Sequence, residues 1–256
     1  MIALVRSELL KLRTLRSTAY AAAGLLVIAL LTSGLAMGDA GGKGFSTPAE
    51  LRETILAVGY AAVLFLAVLG ANAAAGEYRH GTISQRFLAN PARHRVLVAK
   101  LITYALVGVV VALVVTAVAA PLGEAVVSSK GLTLDLGDAG LRLVGSIAIA
   151  TALAGMFGVV VGAMTRNPTT AMVVIFGVWI AEKIAGGWLG DLGQYLPFTL
   201  IENTLGLISP MAWGYAALTL AGLIAALGLV AQRVIVPRDV TSVSYTHLTL
   251  PTTPYV

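Results

Sequence analysis

Cysteine is absent from the 256 residues, which excludes disulfide scaffolds, thiolate metal sites and thiol catalysis. Charge is scarce as well: Asp, Glu, Lys and Arg make up 11% of the chain, against about a quarter in soluble domains, which argues against a soluble core. Histidine occurs three times, at His80, His94 and His247, and no two carboxylates face each other within an apolar stretch. An intramembrane hydrolase, which needs a serine with a histidine or paired acids at membrane depth, therefore has no residues to use. No G-x-x-x-x-G-K-[ST] phosphate loop is present, so the chain carries no ATPase motif of that type. No internal repeat and no low-complexity linker divides it.

What fills the chain instead is apolar sequence, 58% by composition with a mean hydropathy of +0.89. Six uncharged or nearly uncharged stretches stand out, at about 18–37, 54–75, 101–123, 143–164, 169–184 and 211–231. At 1.5 Å per residue most of them cover the roughly 30 Å hydrocarbon layer of a bilayer. The fold class is therefore all-α and polytopic, with residues 1–242 forming one transmembrane domain. Ahead of the first span, Ile2, Val5, Leu9 and Leu12 recur at helical spacing with Arg6, Lys11, Arg13 and Arg16 around them, the pattern of a basic amphipathic helix on a membrane surface. Between spans five and six, residues 185–210 hold apolar patches broken by glycines, Asp191, Pro197 and Glu202. Each patch is too short to cross, which predicts a re-entrant or interfacial helical pair.

Cations fix the orientation. Of the seventeen Lys and Arg residues, Lys43, Arg52, Lys130, Arg142 and Lys183 fall on one side and the other twelve on the side of the N-terminus. The positive-inside rule then places both termini in the cytoplasm. The net charge of +5 is an orientation signal, since no groove-reading element or stacking aromatics gather the basic residues for nucleic acid.

The longest cytoplasmic loop, residues 76–100, reads GEYRHGTISQRFLANPARHRVLVAK. Gly81 and Thr82 predict a turn and cap, Ile83, Phe87 and Leu88 one apolar side of a short helix, and Asn90 with Pro91 its end. In this loop the chain resembles the permease subunits of ABC transporters, in the second exporter class that includes drug, lantibiotic and polysaccharide exporters. The residues that carry the resemblance are Glu77, Gly81, Thr82, Pro91, Arg93 and Lys100. A Glu-Leu-x-Lys-Leu-Arg segment at Glu8 to Arg13, Glu182 at the outer end of span five and Tyr195, Leu196 and Pro197 after it extend the resemblance over most of the chain. It implies a plasma-membrane subunit without bound cofactor that pairs with a second permease copy or a homologous permease and with a separate ATPase subunit, which hydrolyses the ATP. The implied ATPase contacts are Glu77, Arg79, Gly81, Thr82, Ile83, Arg86, Phe87, Pro91 and Arg93, on a coupling helix. Glu182, Tyr195 and Pro197 would form an outer gate or re-entrant region. Lipid-linked or amphipathic compounds lead the implied substrates.

Residue by residue the alternatives are plainer. Glu182 and Lys183 are the charges nearest a span interior, and an ion pathway is the sharp reading; a solvated pair at the outer interface is the bland one. Asn72, Ser146 and Thr151 suit hydrogen bonds between helices, and Gly155, Gly158 and Gly162 suit close helix packing, within the subunit or across a dimer. A secondary transporter would show broken helices and midplane polar residues in repeated halves, and this chain shows neither. Residues 243–256 change character abruptly, and their start resembles the translation of a transposon-end sequencing adaptor, so they are set aside as non-native.

Overall fold

Long runs of Ala, Val, Leu and Gly without charge satisfy their backbone polar groups in lipid only as helix, and helix is what they form. The computed structural model describes residues 1–14, 48–90, 92–129, 137–206 and 211–235, together with the isolated positions 23, 24, 27 and 31. Apart from those positions, the expected first span at 18–37 lies outside the described residues, as do Pro91 and the 243–256 tail. The elements are α1 (Ile2–Thr14), α2 (Pro48–Arg79), α3 (Thr82–Ala89), α4 (Arg93–Ser129), α5 (Gly137–Thr165), α6 (Pro168–Ala185), a 3-10 turn (Gly190–Tyr195), α7 (Pro197–Leu205) and α8 (Trp213–Ile235). Among the described residues there is no strand.

Five of these helices are long and apolar enough to cross a membrane: Gly59–Arg79, Arg93–Leu122, Gly140–Thr165, Pro168–Ala185 and Trp213–Arg233. Helix α5 is the centre. Two thirds (67%) of its span is buried, against 17% for α6, and α2, α4, α6, α7 and α8 all pack on it. The glycines explain how. A Cβ on Gly158 would overlap the Ala67 carbonyl oxygen of α2, and one on Gly162 would overlap that of Ala71. One on Gly155 would sit 2.9 Å from the Tyr104 carbonyl oxygen of α4, and one on Gly108 of α4 would sit 2.6 Å from Ala152. The glycine face therefore serves packing inside the subunit, where small residues let backbones meet.

Of the polar residues expected between helices, Thr151 fulfils the role by donating to the Gly108 carbonyl at 2.9 Å. Ser146 instead donates to Leu143 in its own helix, as hydroxyls within helices readily do. Two boundaries also differ from the hydropathy reading. Helix α2 continues through Gly76–Arg79 to a turn at His80 and Gly81, because Gly-Glu-Tyr-Arg is polar yet compatible with helix. Helix α4 starts at Arg93, and Pro121 lies inside it.

Candidate functional site

Charged side chains collect where α1, α2, α3 and α4 meet. Gly81, at φ 67, turns the chain out of α2 and forms the N-cap of α3; a left-handed residue at this corner favours glycine, which has no Cβ to clash. Thr82 is therefore the first residue of the helix rather than its cap, and its hydroxyl reaches back to the Glu77 carbonyl at 3.4 Å. Asn90 closes α3 as expected.

The short helix that results faces inward with Ile83, which is buried, and Phe87, which is half-buried against the core. Arg93 stacks over the Phe87 ring at 4.9 Å. Leu88 does not share this face: it is 84% exposed, because a step of one residue turns a helix by about 100°. Thr82 and Gln85 are exposed beside it, as is Arg79 at the end of α2.

Glu77 and Arg86, expected at a partner surface, belong to an intramolecular ion cluster. Glu77 Oε1 meets Lys11 at 2.5 Å, Lys100 at 2.9 Å and Arg86 Nε at 3.2 Å. Glu8 of α1 meets Lys100 at 2.9 Å, Lys11 at 3.8 Å and the Arg86 guanidinium. Glu8, Glu77 and Lys100 are all buried. Burial lowers the pKa of Arg86, yet a guanidinium stays charged at any cellular pH. Five charges from four helices thus form one unit, and each carboxylate is shared among the same three cations. Such a cluster is costly to desolvate, and losing one member leaves the others unpaired at a cost larger than any single pair contributes.

The sequence marked Glu77, Arg86 and Lys100 individually but missed Glu8 and Lys11 as their partners. The available signal was the scarcity of acids on that side, Glu8, Glu77 and Asp239 against twelve cations. On α1 the cluster also fixes which side of the helix faces the bundle. The buried residue is Glu8, while Ile2, Leu9 and Leu10 are exposed.

At the other end of the bundle, Glu182 is buried and is not the solvated partner of Lys183. Its carboxylate accepts from the backbone N–H groups of Phe198 at 3.2 Å and Thr199 at 2.9 Å, and from the Thr199 hydroxyl at 3.3 Å. Helix α7 has no side-chain cap of its own, so Glu182 of α6 supplies one from 16 and 17 residues away. A carboxylate there satisfies free amides and meets the positive end of the helix dipole.

Lys183 pairs with Glu202 of α7. Trp179 donates to the Tyr60 hydroxyl at 2.6 Å, tying α6 to α2. Phe198 meets Phe157 of α5 edge to face at 5.9 Å. From Leu200 to Leu205 every residue of α7 is buried. Pro197 opens that helix and Tyr195, at the end of the 3-10 turn, is exposed. Among the described residues no group of His, Asp and Glu has the arrangement of a metal site.

No curated protein matches the chain. A family model described as ABC-2 family transporter protein matches residues 2–223, a range that takes in the ion cluster, the α3 corner and the α7 region alike. The chain belongs to the ABC-2 family of transporter proteins and is a membrane permease of that type.

Proposed function

We propose that the chain is the membrane-spanning subunit of an ATP-driven exporter, acting as one of two permease chains beside a separate ATPase. Both termini lie in the cytoplasm, residues 18–37 supply a sixth span, α1 lies along the inner surface of the membrane, and the 3-10 turn with α7 forms a re-entrant region on the outer side. The observation that carries this reading is the two-sided character of α3. Its inner side is locked to the bundle by Ile83 and by Arg86 in the ion cluster, while Leu88 stands out unburied. A helix clamped on one side and bare on the other suits a contact that passes movement from a soluble partner to the spans as a rigid-body shift.

The ATPase-facing residues are then Leu88, Gln85, Thr82 and Arg79. Glu77, Ile83 and Arg86 position the helix from behind. Lipid-linked or amphipathic compounds are the cargo class that the resemblance to these exporters implies, and the twelve-to-five cation bias supports the orientation.

The test is Leu88→Asp, coexpressed with an ABC ATPase subunit that copurifies with the wild-type permease. Because the side chain is exposed, the variant is expected at wild-type abundance in the membrane. It should no longer copurify with the ATPase, since a carboxylate in an apolar contact has no partner there. Retention of both copurification and ATP-driven export would show that α3 docks by another face or does not dock.

A further inference from the structure

The ion cluster borders a cavity of about 730 Å³ between α1, the end of α2, α3 and the start of α4. One wall is polar, with Lys11, Glu77, Arg86 and Lys100; another is apolar, with Leu12, Leu69 and Ala73. A cavity of this size and mixed lining is typical of small-molecule sites.

The polar wall is not electrically balanced. Three cations face two carboxylates, Glu8 and Glu77, so one positive charge is left over. The hydrogen bonding is not balanced either. Lys11, Arg86 and Lys100 all approach Glu77 through Oε1, and Oε2 is buried without a partner among the described residues. A buried carboxylate oxygen with no donor is expensive and calls for a missing group.

We propose that this cavity holds the headgroup of an amphiphile that carries a phosphate and, next to it, a hydroxyl or ammonium donor. The phosphate meets the surplus cation, the Glu77 carboxylate turns so that its buried Oε2 meets the donor, and the chains leave past Leu12, Leu69 and Ala73. The proposal deepens the exporter reading and rests on it for placing this end of α2 at the inner membrane surface. Two sources share this chemistry, a resident membrane phospholipid and the transported cargo.

The test uses the full chain in nanodiscs of phosphatidylcholine doped with phosphatidylglycerol, which has a phosphate and adjacent hydroxyls. Lipids retained after extraction are counted by native mass spectrometry. Phosphatidylglycerol is expected to be kept about tenfold better than phosphatidylcholine, the effect of one charge-assisted hydrogen bond.

Gly76 lines the cavity, and a Cβ there meets nothing within 4 Å. Gly76→Leu should therefore fill the cavity and abolish the preference. Gly177→Leu, at an equally open glycine on the exposed face of α6, should keep it. If Gly76→Leu does not fold, Ala73→Phe blocks the same wall. Equal retention of both lipids by the wild type, or an undiminished preference in a folded cavity-filled variant, overturns the proposal. So does displacement of the lipid by the same concentration of soluble glycerol phosphate.

With the ATPase and ATP added in proteoliposomes, movement of labelled phosphatidylglycerol between leaflets assigns the bound molecule as cargo. Retention without movement assigns a resident lipid, and either result supports the site. The binding measurement needs no ATPase, so its failure leaves the exporter reading standing, whereas failure of the ATPase to copurify removes that reading without touching the lipid result.

Discussion

The two ends of the bundle hold their buried acids by different means. At the α3 end, Glu8 and Glu77 are matched by side-chain cations from three other positions, and every member touches several others. At the α7 end, Glu182 is matched by the backbone of one short helix. The first arrangement fuses four elements into a block, and the second is a single latch between α6 and α7. A block suits the docking role proposed for α3. A latch suits a segment that must be held in one position and be able to leave it.

The sharpest test asks whether the two ends lie on opposite sides of the membrane. Single cysteines at Ser84 of α3 and at Trp188, which is 91% exposed, can be placed on this cysteine-free background. In intact cells an impermeant maleimide is expected to label only the Trp188→Cys protein. Labelling of the Ser84→Cys protein from outside would reverse the orientation and remove the docking role of α3.

Next in size is Glu77→Ala, which leaves Lys11, Arg86 and Lys100 around Glu8 alone. Breaking a buried ionic cluster costs about 3–5 kcal/mol, so a large fall in melting temperature in detergent and in membrane abundance is expected. A melting temperature within a degree or two of wild type would mean that the cluster is hydrated and is not a block.

Glu182→Ala should be milder, at about 2 kcal/mol, because it removes a charged cap from one helix. Glu182→Gln should recover part of that loss by keeping an acceptor oxygen. Proteolysis between α6 and α8 is the sensitive measurement, and equal protection of all three proteins would deny the latch. Smallest is Thr199→Val, which removes only the hydroxyl bond and should cost about 1 kcal/mol or less. An effect as large as that of Glu182→Ala would show that the hydroxyl, and not the two amides, anchors the carboxylate.

Hydropathy made the helical bundle legible, because it is a property of single stretches. The glycine face of α5 was also readable from Gly155, Gly158 and Gly162, although its packing partner required the structure. What stayed hidden were pairings across distance. Glu8 meets Lys100 from 92 residues away, and no local pattern in one sequence records that. Leu88 was grouped with Ile83 and Phe87 because apolar character alone does not say which side of a short helix the bundle covers. Glu182 was noticed for its charge, but its function as a cap depends on α7 returning to it, which the glycines and prolines of residues 185–210 permit without specifying.

The length of α2 carries a further consequence. Its 32 residues make a rod of roughly 48 Å at 1.5 Å per residue, well beyond the roughly 30 Å hydrocarbon layer. It is gripped about two thirds of the way along by α5, where Ala67 and Ala71 meet Gly158 and Gly162 without intervening side chains. A rod held at one place is a lever with a fulcrum. A tilt of a few degrees imposed through Glu77 at the short end would swing the Pro48 end by an ångström or more in the opposite direction.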